Sequence, residues 1–228
     1  MMPRLAAFLL GAALAAAAAQ PLAQERPLDP LDEAAKDASW VAFKKRLLSA
    51  VQKRDRQFLL GVIDPEVRSG IDTTRRGIAE FSRQWQIDSE ASPLWQELAA
   101  ALALPAAYHR PEQGPVELCV PYVAVRWPQD IDAFSHGVIT AAKVPVRSAP
   151  SAGAATLATL SYNIVPVTSW ETDDQKAGVK QKWVRIRLKG GEGYVPEELI
   201  RSPIEHTACF VKGEKGWRLI GFGPGGGK

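Results

Sequence analysis

The segment from Val138 to Ile200 constrains the fold more than any other. It is a series of short β-branched and apolar runs: Val138-Ile139-Thr140, Val144-Pro145-Val146-Arg147, Ala158-Thr159-Leu160, Trp183-Val184-Arg185-Ile186-Arg187-Leu188 and Gly193-Tyr194-Val195-Pro196. They are punctuated by Gly, Pro and Ser. Runs this short and this punctuated predict a small, tightly turned β-barrel rather than a helical or parallel-sheet enzyme. Pro145 and Pro166 cannot donate to a ladder, so they belong at edges or bulges. The glycines of Lys189-Gly190-Gly191-Glu192-Gly193 predict a hairpin turn. Thr172 to Val179 is the longest polar loop of the barrel, and Pro196-Glu197-Glu198-Leu199 a single helical turn.

The beginning of the chain has a different character. Arg4 supplies a positive charge, Leu5 to Ala19 is an unbroken apolar run, and Ala17-Ala18-Ala19 offers a small-residue cleavage site. This predicts a signal peptide over residues 1–19, cut before Gln20. The run falls short of the roughly 20 apolar residues that span a bilayer, so no stable membrane span is expected after cleavage. No Cys follows it, which argues against a lipid anchor. The expected location is periplasmic or secreted. Cleavage removes one charged residue, Arg4, from a chain of formal net charge +3. A balance this close to zero, with no clustered basic face, predicts no nucleic-acid partner. The nearest cluster, Lys44-Lys45-Arg46 with Lys53, Arg54 and Arg56, reads as a solvated helix face.

Residues 20–38 lack periodicity and predict a loose linker. From Ser39, the expected N-cap, Trp40, Phe43, Leu47, Leu48 and Val51 fall at helical spacing. Phe58-Leu59-Leu60 continues a second short helix that Asp64-Pro65 should end, and Glu66 to Gly70 is turn or short strand. Thr73 or Thr74 caps a third helix carrying Ile78, Phe81 and Trp85, and Ser92-Pro93 opens a fourth with Leu94, Trp95, Leu98 and Leu102. Ala106 to Pro115 reads as a loop and Val116 to Arg126 as a strand. The fold class expected is therefore α+β: a mainly helical domain over 39–132, the barrel over 133–201, and a C-terminal hairpin over 202–228. That hairpin, Thr207 to Val211 with Trp217 to Phe222, should pack on the helices, and Gly223 to Gly227 should be a frayed tail.

The residues Val146-Arg147-Ser148-Ala149-Pro150-Ser151, Leu160, Trp183-Val184-Arg185-Ile186 and Gly193-Tyr194-Val195 resemble a bacterial SH3-type domain. In that domain Val-Arg-x-x-Pro-Ser, a Leu-containing strand, Trp-Val-x-Ile and Gly-Tyr-Val follow in this order. With Cys119-Val120-Pro121-Tyr122, Asp132-Ala133-Phe134 and the Cys209 to Leu219 hairpin, the chain resembles exported, uncharacterised bacterial proteins that carry one such domain behind a helical region. The resemblance implies a structural and binding role, and no chemistry.

No catalytic pattern stands against that expectation. His109, His136 and His206 have no metal-ligand spacing, and no nucleophile elbow, phosphate loop or dinucleotide fingerprint occurs. No metal and no cofactor is expected. Cys119 and Cys209 lack a catalytic signature, and in an exported protein the pair reads as a disulfide, with two separate buried thiols as the competing account. The first function class is an exported, non-catalytic binding or scaffold protein of the cell envelope, its barrel recognising a peptide, a cell-wall fragment or an envelope protein. Tyr162, Trp170, Trp183 and Tyr194 are its candidate surface, with barrel core as the competing place for Trp183. Proline-rich ligands fit poorly, because the loop Ser148 to Gly153 is short and uncharged. The alternative is a small-ligand or structural protein with an apolar pocket in the helical region. A cell-wall hydrolase is the third class, and the helical region offers it no nucleophile, metal set or spaced acid pair.

Overall fold

The computed structural model describes residues 26–70 and 76–225. The leader expected over 1–19 and the capping threonines Thr73 and Thr74 lie outside the described residues, as do Gly226 and Gly227. The described chain is mostly β, in two sheets of five and seven strands, with five short helices among the described residues. This overturns the expected fold class, in which a helical domain stood apart from a barrel and an appended hairpin.

Three strands come from the stretch expected to be mainly helical: β1 (Ile63–Ser69), β2 (Ala107–His109) and β3 (Glu117–Val120). They flank the C-terminal hairpin, β11 (His206–Gly213) and β12 (Gly216–Pro224), in the order β1-β12-β11-β3-β2. β1 runs parallel to β12 and the other pairs are antiparallel. β3 lies within the expected strand Val116 to Arg126, and β1 overlaps Glu66 to Gly70, read as turn or short strand, whereas β2 falls in an expected loop. Their shared sheet escapes local periodicity because each strand either pairs with residues far away in sequence or is only three or four residues long. Gly223 and Pro224, expected in a frayed tail, pair with Thr207 and His206 at the end of β12.

Helices α1 (Ala38–Gln52), α2 (Arg56–Val62), α3 (Ile78–Gln84) and α4 (Leu94–Ala103) cover one face of this sheet. The stripe Trp40, Phe43, Leu47 and Val51 of α1 is buried against Phe210, Trp217 and Leu219. Trp40 meets Phe210 and Trp217 edge-on at centroid distances of 5.1 and 5.2 Å. The N-cap of α1 is Asp37 rather than Ser39: its carboxylate accepts from the backbone amides of Ser39 and Trp40 at 2.8 and 3.1 Å. Those bonds and the Ser39 hydroxyl hold its pKa down at about 2. Ser92 accepts from the Leu94 amide and donates to the Trp85 carbonyl, locking the entry to α4. Val116 to Arg126 is not one strand. β3 stops at Val120, and Pro121 leads into α5 (Tyr122–Arg126).

The second sheet is built from β4 (His136–Ile139), β5 (Val144–Arg147), β6 (Thr156–Leu160), β7 (Ile164–Asp173), β8 (Lys182–Leu188), β9 (Gly191–Pro196) and β10 (Ile200–Arg201), in the order β10-β4-β7-β8-β9-β5-β6. It encloses its own core of Ile139, Val144, Val146, Val165, Val184, Ile186, Val195 and Ile200. A third cluster, with Leu28, Ala107, Tyr122, Val123, Val138 and Ile164, joins the two sheets. The buried Tyr122 hydroxyl donates to the Leu28 carbonyl at 3.1 Å, and burial pushes its pKa up to about 12. The described part of the expected linker is therefore not loose: Leu28 and Ala34 are buried, and the Leu28 amide donates to the Tyr162 carbonyl. No described helix is long and apolar enough to cross a membrane.

Candidate functional site

The aromatic residues singled out on the barrel do not converge. Trp183 is 2% exposed, and its indole N–H donates to Asp174 Oδ2 at 2.9 Å beneath the polar loop that follows β7. Trp170 turns inward against the barrel core, where a Cβ added at Gly137 would lie 2.8 Å from its ring. Tyr162 adopts a left-handed conformation in the turn before β7, and its carbonyl is held by Leu28. Tyr194 stands opposite Arg185 on the outer, half-buried face of β8 and β9. Only Tyr194 is left as an outward-facing group on an ordered strand.

A concavity lies elsewhere, on the face of the five-stranded sheet turned away from the helices. Leu118 and Val120 of β3 and Ala208 and Phe210 of β11 enter the helix-side core. By the period-two alternation of a strand, Glu117, Cys119, Thr207 and Cys209 then face the other way. With β12 contributing glycines there, the result is a cleft of about 780 Å³. Its rim carries Tyr108, His109, Arg110 and Glu112 from β2 and the loop after it, and α5 closes one side.

Cys119 and Cys209 are directly opposite in the β3–β11 ladder and form a disulfide on the cleft floor, with Cα atoms 4.1 Å apart. Beside it, Glu117 is 8% exposed and accepts from Arg68 Nη2 at 2.8 Å. Arg68 belongs to β1, at the far edge of the sheet, and reaches Glu117 by passing over Gly221, where its Nε lies 3.6 Å from the position of a Cβ. A second cation, Arg110, sits over the Tyr108 ring at 5.7 Å. The cleft thus presents charges of both signs and an aromatic face. One carboxylate oxygen of Glu117 and the two sulfurs lie within 4.8 Å of one another. With the sulfurs bonded to each other, this is not a metal-ligand set.

The three histidines differ in surroundings. His109 lines the cleft. His136 opens β4 and is half-buried, next to an exposed turn in which the Ser135 hydroxyl donates to Asp132 Oδ2 at 2.5 Å and lies 3.0 Å from His136 Nδ1. The hydroxyl proton therefore goes to the carboxylate and not to the imidazole, the reverse of what an activated nucleophile needs. His206 packs on Trp85 and Phe222, and its Nδ1 is 2.8 Å from Glu97 Oε2. That bond holds the Glu97 pKa below its usual value, whereas burial raises that of neighbouring Glu205.

The sequence reading named the two cysteines and missed Arg68, Arg110 and Glu117. The spacing of Glu117 and Cys119, two apart in a strand, was the available signal for Glu117. No local signal places Arg68 across the sheet. Comparison with protein-family models, curated proteins and solved structures finds no match to the chain.

Proposed function

We propose that the protein is an exported, non-catalytic binding protein of the cell envelope whose cleft takes a short charged peptide, of the kind released from or carried by the cell wall. The observation that carries this reading is the cleft itself: Arg68, Glu117, Arg110 and Tyr108 converge there, whereas the barrel's aromatic residues are buried or dispersed. Pockets with a few convergent polar groups and an aromatic face are where small ligands bind. Charges of both signs suit a ligand with both an amine and a carboxylate. The apolar leader and the disulfide support an oxidising compartment outside the cytoplasm. The segment 136–201, with its resemblance to bacterial SH3-type domains, serves in this reading as a rigidly attached module rather than as the recognition surface.

Titration calorimetry with short wall-type peptides tests the proposal. A peptide with free amine and carboxylate should bind, and capping its termini should weaken binding. Arg110→Ala should lower affinity about tenfold or more, the worth of one charge-assisted hydrogen bond. Binding that survives Arg110→Ala but is lost in Tyr194→Ala would move the site to the barrel and overturn the assignment.

A further inference from the structure

The disulfide occupies an unusual place for a purely structural tie. Both cysteines line the cleft, Cys209 is half-buried, and Cys119 is 2% exposed. A thiol entering from solvent therefore reaches Cys209 first. Glu117, buried, paired with the Arg68 guanidinium at 2.8 Å and within 4.8 Å of both sulfurs, makes no bond to the intact disulfide, yet its carboxylate stands where a thiol would need a proton acceptor. We propose that the Cys119–Cys209 disulfide is exchange-active: it reacts from the cleft with an external dithiol, and Glu117 handles the proton of Cys119.

The steps balance as follows. A thiolate of the dithiol attacks the Cys209 sulfur; the sulfur–sulfur bond breaks, and its electron pair leaves on Cys119, which takes up a proton through Glu117. The second thiol of the dithiol, after losing its proton, attacks its own sulfur in the mixed disulfide and releases Cys209, which is protonated from water. The protein has gained two electrons and two protons, and the dithiol has become a disulfide. On the return path the Cys119 thiol passes its proton to Glu117, directly after side-chain rotation or through one water. Once the Cys209 thiolate has attacked an external disulfide and displaced one of its thiolates, the Cys119 thiolate attacks the Cys209 sulfur of the mixed disulfide. The bond from Cys209 to the external sulfur breaks, and the second external thiolate leaves to be protonated from water; the thiolate and not the thiol is the nucleophile. Opening the bond need not unfold the sheet: Leu118 and Phe210 remain in the core, and the ladder from Ala208–Val120 to Phe210–Leu118 remains paired.

The proposal rests on the cleft being open to solutes, not on the peptide it binds, and the two are tested separately because the probes here are dithiothreitol and glutathione disulfide with no peptide present. The full mature protein is incubated with dithiothreitol in native buffer, and reduction is followed by alkylation and mass. Exchange from the cleft gives a rate proportional to dithiothreitol and insensitive to low urea. A rate that saturates with dithiothreitol and climbs steeply with urea means that reduction requires unfolding, and overturns the proposal. In folded Glu117→Gln, reoxidation by glutathione disulfide should slow about tenfold near neutral pH, with a pH profile shifted toward that of an unassisted thiol. A rate and profile identical to wild type would remove Glu117 from the mechanism.

Discussion

Phe210 is the residue whose removal best tests how the molecule is divided. It is fully buried at the centre of β11, paired with Leu118 on one side and Leu219 on the other. Its ring packs against Trp40 at 5.1 Å and Phe43 at 5.8 Å, both edge-on. Phe210→Ala therefore opens a cavity between the sheet and α1 that aromatic rings cannot collapse to fill, at a cost of about 3–5 kcal/mol. For a chain of this size that corresponds to a fall in melting temperature of about 6–20 °C. The core around Phe210 shares no buried residue with that of the barrel. Hydrogen exchange should then show amides of α1 and of β1 losing protection, while Val184, Ile186 and Val195 keep theirs. Equal loss of protection in both cores would refute the separation, and a melting temperature within about 2 °C of wild type would refute the burial argument itself.

Trp183→Ala should destabilise the barrel by about 3–5 kcal/mol, and Trp183→Phe, which keeps most of the ring and removes the bond to Asp174, by about 0.5–1.5 kcal/mol on that account; urea titration of each variant measures both. The pH dependence of stability should have two limbs. Glu97, with its pKa depressed by His206, contributes stability that is present above its unfolded pKa and lost as pH falls through the depressed folded value. Glu205, with its pKa raised by burial, acts oppositely, and stability rises as pH falls from above its raised value toward the ordinary carboxylate range. Urea midpoints across pH should thus show a shallower acid limb in Glu97→Gln, with the part due to Asp37 remaining, and a loss of the higher limb in Glu205→Gln, and curves unchanged by either substitution would contradict the linkage.

What could be read from the sequence was what is determined locally. The stripe Trp40, Phe43, Leu47 and Val51 repeats at helical spacing, and helix α1 follows. The hairpin turns at Lys189-Gly190 and Glu214-Lys215 follow from their composition, and the strands they join are β8, β9, β11 and β12. The cysteine pair was legible because two cysteines in a chain expected to be exported have few alternatives. β1 was legible only as a turn or short strand over Glu66 to Gly70, since Asp64-Pro65 looks like a helix stop and nothing local hints at a parallel partner at Leu219 to Phe222. The site shared that fate: Glu117 faces the cleft only because Leu118 and Val120 face the helices, and Arg68 reaches it from a strand whose place in the sheet local sequence does not announce.

The order of the strands explains why a domain boundary near residue 132 is only half of the truth. β3 and β11 are neighbours in the sheet, yet the whole seven-stranded unit lies between them in sequence. The five-stranded sheet is thus interrupted by an inserted barrel, not followed by one. Closing a flexible loop of the 90 residues that separate the two cysteines would cost about 4 kcal/mol by the length-dependent part of loop-closure entropy alone. Within the seven-stranded unit the ends are held together: β4 and β10, its first and last strands, are paired to each other at Ile139–Ile200 and Val138–Arg201. The insertion then delivers β11 beside β3 with little of that cost remaining, and the disulfide joins the two strands where they meet. The cleft lies at this junction, so the module that carries no convergent site of its own still determines whether the site next to it can form.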